Sequence, residues 1–245
     1  MGVVAKMADV LRQRRELVWA SGRAVSARLL EEYRQTYRVE RTPPPALIVG
    51  ELLTDFLDVE LIYGPLNLDT YARVRWEGKI PQVTVNVRIP EMPGVKDPEG
   101  VGNVAKCHEL IHVVDHAPEA DLRDQYVFEG FDVSRSISCY RRMQPTRDQE
   151  SRLREIWAEE AGRAFAVSWP HLKKSAAFQE LLGFAGRREG REAWRLLYLA
   201  ARDIGVNSTA LVKQLTLEGV ITVAQENGRR LLRVSSTFEE GMRLA

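Results

Sequence analysis

The sequence predicts an α+β protein in which helices flank a small sheet and a further helical module follows. Three observations predict this class. Apolar residues recur at helical spacing at both ends of the chain, they alternate with polar residues between positions 59 and 89, and an apolar helical stretch carries the pattern His-Glu-x-x-His at 108–112. Strands that are grouped together, rather than interleaved with helices, are typical of α+β proteins.

The size and composition are those of an ordinary globular protein. The 245 residues allow one large domain or a domain with an appended module, and the net charge of +1 gives no indication for or against a nucleic-acid partner. Two cysteines without a C-x-x-C pair indicate neither a disulfide framework nor a thiolate zinc site. The sequence has no apolar run of membrane-spanning length and no signal-peptide core. We therefore expect a cytoplasmic protein without a membrane partner.

Changes in the periodicity of apolar residues divide the chain into three parts, residues 1–41, 42–180 and 181–245. The first part has helical periodicity from Val3 to Tyr37, and we interpret its arginine-rich face as solvated rather than as a nucleic-acid contact. A proline run at 43–45 breaks the chain. Residues 46–57 then predict an amphipathic helix.

The second part continues with strands. Residues 59–63, 72–76 and 82–89 alternate apolar and polar side chains, which predicts three short strands in a small mixed or antiparallel sheet. The polar segment 90–102, rich in Gly and Pro, predicts a loop that leads into the next helix. A helix, a small sheet and a His-Glu-x-x-His helix in this order are the layout of a zincin-type peptidase, in which an edge strand usually holds an extended substrate.

The His-Glu-x-x-His pattern carries the most specific chemical signal. Because His108 and His112 lie four residues apart on one helical face, both imidazoles can reach the same metal ion. Glu109 can then take a proton from the attacking water. His116 lies too far along the helix axis to reach that ion, and Cys107 points about 100° away from His108, so we expect it to serve packing.

A hydrolytic metal site requires a third protein ligand and an open fourth position. A strong helix predicted at 149–167 carries three carboxylates among which spacing alone does not choose: Glu155, Glu159 and Glu160. Asp115 could orient a ligand imidazole. An oxyanion needs one further donor, and the chemically suitable side chains, which the sequence does not rank, are Tyr126, Tyr140 and His171.

The chain resembles the ImmA/IrrE family of metallo-endopeptidases. Residues 106–112 match the first family motif, with Cys107 where alanine is usual, and residues 159–170 match the second motif loosely. The resemblance extends over roughly residues 40–225. It implies that Zn²⁺, or another divalent ion such as Mn²⁺, is held by His108, His112 and Glu159.

The resemblance also implies a function. Members of this family typically cleave helix-turn-helix repressors, so the expected substrate is an XRE-type transcriptional repressor and the expected outcome is derepression of stress-response or mobile-element genes. Two departures bear on the third ligand. Gly162 and Arg163 replace a small residue and an Asn or Asp of the motif, and a long gap after His112 indicates an insertion at about 117–149. The alternatives to Glu159 that remain are Glu160, Glu129 and Asp132.

The third part has the outline of a winged helix-turn-helix module. Residues 194–204 and 209–218 predict two helices, the second begun by a cap at Ser208, and strands at 221–224 and 231–234 flank an Asn-Gly turn. Polar residues occur near the start of the second helix, and arginines that could touch phosphate occur in the wing: Asn207, Ser208, Thr209, Lys213, Gln214, Arg229, Arg230 and Arg233. We favour a module that packs on the peptidase or docks the substrate over a sequence-specific DNA binder.

The sequence thus predicts a zinc metallo-endopeptidase in which Glu109 acts as general base and returns the proton to the leaving amine. Two other functions stay open. One is a DNA-binding winged-helix regulator with an inactive or sensory peptidase-like domain. The other is a non-peptidase zinc hydrolase or a toxin-like module.

Overall fold

The structure, a computed structural model, describes residues 2–78, 80–122, 137–140, 149–184, 188–226 and 228–235. It is an α+β protein, as the sequence predicted, with helices packed around two small sheets. Among the helices of this described part, none combines the length and the apolarity needed to cross a bilayer.

The first sheet contains the strands that the alternating pattern predicted. Its strands are β1 (Glu60–Gly64), β2 (Thr70–Glu77), β3 (Ile80–Asn86) and β4 (Ile137–Tyr140). They lie in the order β1-β3-β2-β4, and the sheet is mixed, because β1 runs parallel to β3 while the other pairs are antiparallel. The predicted strand 82–89 ends earlier, at Asn86, because the chain turns into a short 3-10 helix at Ile89–Glu91 that contains Pro90.

The long first helix is confirmed, as α1 (Gly2–Tyr37). The predicted helix at 46–57 is present only as α2 (Val49–Glu51), which continues as a π-helical turn over Leu52–Phe56. The helix that carries the histidines, α3 (Pro98–Leu122), begins inside the segment predicted as a loop. Asp97 explains this early start, because its Oδ1 accepts a hydrogen bond from the Gly100 amide at 2.9 Å and caps the helix.

The remaining helices follow the insertion. They are α4 (Gln149–Ala166), α5 (Trp169–Leu172), α6 (Ala176–Leu182), α7 (Arg191–Asp203) and α8 (Ser208–Leu217). A second sheet contains β5 (Arg188–Glu189), β6 (Ile221–Glu226) and β7 (Arg229–Val234), in the order β5-β7-β6. Strands β6 and β7 form the predicted hairpin, with Glu226 opposite Arg229.

Helix α4 lies at the centre of the helical layer, between α1 and α3. At Gly22 of α1, an added Cβ would lie 2.2 Å from the carbonyl oxygen of Ala161, so the two helices touch backbone to backbone. One apolar cluster extends from Leu29 in α1 to Val234 in β7 and includes the fully buried Phe165 of α4. The division into three parts stays a prediction, since this cluster contains residues from all of them.

The turn between α7 and α8 packs on the first turns of α3. Asn103 of α3 donates a hydrogen bond from Nδ2 to the Gly205 carbonyl at 3.0 Å, and Gly205 has a φ of +74°, which a residue with a side chain adopts only with strain. The predicted Ser208 cap is wrong by one residue. Asn207 caps α8, because its Oδ1 accepts from the Ala210 amide at 2.9 Å, and Ser208 is the first helical residue.

Candidate metal centre

Two imidazoles and one carboxylate converge between α3 and α4. The Nε2 atoms of His108 and His112 lie 3.0 Å apart. The Glu155 carboxylate faces both of them, with its oxygens 3.4 Å from His108 Nε2 and 3.6 Å from His112 Nε2. Within the described residues this is the one group of three or more His, Cys, Asp or Glu side chains whose ligand atoms all lie within 4.8 Å of one another.

This donor set fits a divalent metal ion. Ligand atoms about 2.0–2.1 Å from a tetrahedral zinc ion lie roughly 3.3 Å from one another. The separations of 3.0, 3.4 and 3.6 Å in the cluster span this value. Two histidines and a glutamate also form one of the usual ligand sets of catalytic zinc, in which a fourth position stays open. His108, His112 and Glu155 could therefore hold such an ion.

The helix α3 supplies both imidazoles from one face, as the four-residue spacing predicted. His108 and His112 are buried, with 5% and 2% of their surface exposed. The helix α4 approaches α3 so closely because residue 162 is glycine. A Cβ on Gly162 would lie 2.8 Å from His108 Cα and 3.0 Å from the Cys107 carbonyl oxygen, so no side chain can separate the two backbones there. This contact sets the distance across which Glu155 reaches the imidazoles.

The charges of the cluster stabilise one another. Burial lowers the pKa of His108, but the hydrogen bond to Glu155 and the surrounding negative charges outweigh this effect and raise the pKa above its ordinary value. Burial likewise raises the pKa of Glu155, but hydrogen bonds to His108 and His112 outweigh it and lower the pKa to about 2. Glu155 is therefore an ionised carboxylate at neutral pH, as a metal ligand must be.

Glu109 is fully buried beside the cluster. Its negative charge contributes to the raised pKa of His108, which indicates that its carboxylate lies close to that imidazole. Cys107, on the other side of His108 in sequence, is buried in the apolar cluster, and burial raises the pKa of its thiol to about 12. Cys107 therefore serves packing, as the helical geometry predicted.

Glu159, which the resemblance implied as third ligand, lies one turn from Glu155 on α4. Its carboxylate pairs with two basic side chains. It accepts hydrogen bonds from Arg163 Nη1 at 3.2 Å and from Lys213 Nζ of α8. Burial raises the pKa of Glu159, but the Lys213 hydrogen bond and the charge of Arg163 outweigh burial and lower it. The structure brings Glu155 rather than Glu159 to both imidazoles.

The other predicted site residues are distributed differently. Glu160 lies on α4, half-buried, and is not part of the cluster. His171 is held by two hydrogen bonds: Nε2 donates to the Thr42 carbonyl at 2.9 Å, and Nδ1 accepts from the Ser168 hydroxyl at 2.8 Å, so both of its ring nitrogens have fixed partners. Burial lowers the pKa of His171. Tyr126, Glu129 and Asp132 lie outside the described residues. Asp115 and Tyr140 lie in described elements, but their side chains are outside the described part of the structure.

A cavity of about 1110 Å³ opens beside His108. We call it the α3 groove. Its walls are formed by α3, by the segment 94–97 before that helix, by α4 and by the start of α8, and both Glu159 and Lys213 line it. Of the three residues of the cluster, His108 lines the groove.

Two groove residues were not singled out from the sequence. Tyr71 of β2 and Tyr198 of α7 both line the α3 groove. Thr70 of β2 pairs with Tyr140, and Ala72 pairs with Cys139, so that Tyr71 is the extra residue of a β-bulge. Bulges redirect side chains and are common beside active sites. An irregular strand pairing has no signature in a single sequence, so only the structure could identify Tyr71.

The polar residues at the start of α8 contact α4 or border the α3 groove. Asn207 caps the helix, Lys213 bonds Glu159, and Ser208 and Thr209 line the α3 groove. Gln214 is buried, accepts from Arg163 Nε at 3.1 Å and donates to Glu218 at 2.6 Å. This face of α8 is therefore occupied by contacts with α4 and with the groove.

The arginines of the hairpin have separate surroundings. Arg230 places its guanidinium carbon 5.1 Å from the ring centroid of Trp194, whose Nε1 donates to the Arg230 carbonyl at 3.1 Å. Arg233 is half-buried, and the side chain of Arg229 lies outside the described part of the chain.

Comparison of the chain with protein-family models and with curated proteins finds no match.

Exchange of single carboxylates distinguishes the two possible third ligands. Glu155→Gln should weaken zinc binding by at least about 100-fold, because losing a ligand costs more than the 10–100-fold loss typical of a residue that only supports one. Glu159→Gln should weaken it by less than about 10-fold. Zinc titration against a competing chelator measures both, and thermal unfolding of the metal-free proteins controls for folding. The opposite ranking would make Glu159 the ligand.

Substitution of Gly162 tests whether the helix crossing positions the ligands. The methyl group of Gly162→Ala must push α4 away from His108. We expect about 10-fold weaker zinc binding, and a free energy of unfolding lowered by about 1–3 kcal/mol, as overpacked sites show. Gly102→Ala on α3 is the matched control, since its Cβ would lie 3.7 Å from Ile89 Cδ1, an ordinary contact. Equal zinc affinity of the two variants would contradict the role of the crossing.

Proposed function

We propose that this protein is a zinc-dependent endopeptidase. The observation that carries the proposal is the convergence of His108, His112 and Glu155 at the edge of a groove, with the buried carboxylate of Glu109 next to them. The α+β architecture, with a mixed sheet before the His-Glu-x-x-His helix, supports a zincin-like fold for the peptidase part.

The roles of the residues follow from their chemistry. His108, His112 and Glu155 would hold the ion, which when bound lowers the pKa of water and polarises a carbonyl group. Glu109 accepts a proton from the attacking water and passes it to the nitrogen of the leaving amine. Because Glu109 is fully buried, bulk water does not screen its charge, and its attraction for that proton is stronger than at an exposed site.

Tyr71 is the residue that we assign as the additional hydrogen-bond donor. Its side chain lines the same groove as His108, and it lies at the irregular pairing of β2 with β4, a feature that is common beside active sites. A phenol O–H that donates to the oxygen of the attacked carbonyl stabilises the negative charge that develops there. Tyr71 therefore takes the role for which the sequence offered Tyr126, Tyr140 and His171.

The contacts of the carboxyl-terminal module favour a role in docking a protein substrate over a role in binding DNA. Helices α7 and α8 with the hairpin β6–β7 have the outline of a winged helix-turn-helix. In DNA-binding modules of this kind, the start of the second helix enters the major groove. Here that start lines the α3 groove through Ser208 and Thr209. The module thus supports substrate docking, and the resemblance to the ImmA/IrrE family makes a helix-turn-helix repressor the first substrate to test.

Removing the proposed base separates metal binding from hydrolysis. The zinc-loaded Glu109→Gln protein should retain its ion and lose about 10²–10⁴-fold in kcat on labelled casein or on purified helix-turn-helix repressors, the usual contribution of a general base. Glu91→Gln, an exposed residue that pairs with Arg88, is the control and should keep its activity. Salt-sensitive binding of wild type to specific duplexes, with no cleavage of any protein, would favour the regulator instead.

Removing single phenol oxygens tests the assigned donor. Tyr71→Phe should lower kcat by about 10²–10³-fold, with KM changed far less, because the hydrogen bond forms mainly in the transition state. Tyr63→Phe on strand β1 of the same sheet, where the side chain is exposed, is the control. If Tyr198→Phe loses kcat while Tyr71→Phe does not, Tyr198 is the donor and the assignment of Tyr71 is wrong.

A further inference from the structure

The lining of the α3 groove changes along its length, from apolar residues next to His108 to cationic residues at the other end. Val101, Val104, Ala105 and His108 all line it, and their spacing places them along one face of α3. The floor is therefore apolar along two helical turns and ends at His108 of the metal cluster. The distance from Val101 to His108 along the helix axis is about 10.5 Å. An extended chain laid in the groove would follow this floor away from the metal.

Cations lie at the opposite end of the groove. Lys96 comes two residues before the first residue of α3, and Arg202 lies in the last turn of α7. The α7–α8 turn touches this end of α3, because a Cβ on Gly100 would lie 2.8 Å from the carbonyl carbon of Val206. Both cationic side chains are exposed and line the groove. Among the residues that the structure describes, neither has an ion-pair or hydrogen-bond partner.

The acids of the groove do not pair with these cations. Asp97 caps α3, and Glu159 bonds Arg163 and Lys213. Asp97 and the exposed Glu99 lie at the same end of the groove as Lys96 and Arg202, but neither acid forms an ion pair with either cation. Four cationic side chains and three acidic ones line the groove in all. An acidic group of a bound molecule would therefore find its partners at the end opposite His108.

We propose that the α3 groove binds an extended polypeptide segment with an acidic side chain three to five residues from the scissile bond, recognised by Lys96 and Arg202. The proposal rests on the peptidase function. The ten residue-to-residue steps from Pro98 to His108 span about 15 Å of helix. An extended peptide covers this distance in about four or five residues, and the reach of the side chains shortens it by about one. Apolar side chains between the acid and the scissile bond would pack on Val101, Val104 and Ala105.

A proteome-derived peptide library tests this specificity with the zinc-loaded protein. Wild type should prefer Asp or Glu over Asn or Gln by about fivefold at one position three to five residues from the cut, the size expected of exposed charge pairs. High salt should reduce the preference. Arg202→Glu and Lys96→Glu should each abolish it, and should favour Lys or Arg at the same position.

Arg195→Glu is the matched control for Arg202→Glu. It changes an exposed arginine on the same helix that pairs with Glu192 and does not line the groove, so the preference should persist. Cleavage by wild type without acidic enrichment at these positions overturns the groove proposal and leaves the peptidase intact. An unchanged preference in both Arg202→Glu and Lys96→Glu overturns the assignment of the cations. If wild type cleaves no peptide and no protein, the peptidase function fails, and the groove proposal fails with it.

Discussion

The crossing of α3 and α4 at Gly162 governs the geometry of the candidate centre. The backbones meet there without an intervening side chain, and Glu155 lies two turns away on α4, about 10.5 Å along the axis. At that distance from the contact, a glutamate reaches the tips of the imidazoles. On the other side of α4, α1 touches Ala161 at Gly22. Adjacent residues of α4 are thus in backbone contact with a neighbouring helix on two sides, which fixes the depth at which the helix that carries Glu155 lies between α1 and α3.

A chain of polar contacts extends from the same helix into the carboxyl-terminal module. Arg163 is buried and bonds both Glu159 and Gln214, and Gln214 in turn bonds Glu218. Glu218 also bonds Arg23 of α1 and the indole nitrogen of Trp169. A buried guanidinium needs such partners, because burial without them is costly. Arg163 thus joins α4 to α8.

Much of the fold could be predicted from the sequence, because it depends on local pattern. Periodicity and turn residues are sufficient to predict α1, the histidine-bearing helix α3, α4 and the hairpin around Gly228. The choice between Glu155 and Glu159 could not be predicted in this way, because both residues lie on one face of α4. Only the position at which α4 crosses α3 determines which of the two carboxylates faces the imidazoles. The place of Tyr71 at a bulge could not be predicted either, since a bulge depends on the pairing of β2 with β4, which is distant in sequence.

The carboxyl-terminal module illustrates how a sequence outline can leave its contacts undetermined. A polar start of a second helix is typical of a helix that enters DNA, yet the same residues are suited to line an aqueous groove. Asn207 and Lys213 have intramolecular partners, and α7 and α8 form one wall of the α3 groove. Ser208 and Thr209 line the groove, so a duplex that contacted them would lie over the groove. Lys213 is exposed but is already paired with Glu159 of α4. The polar start of α8 therefore suits either kind of partner in sequence, and its contacts with α4 and its place beside α3 depend on residues distant in the chain.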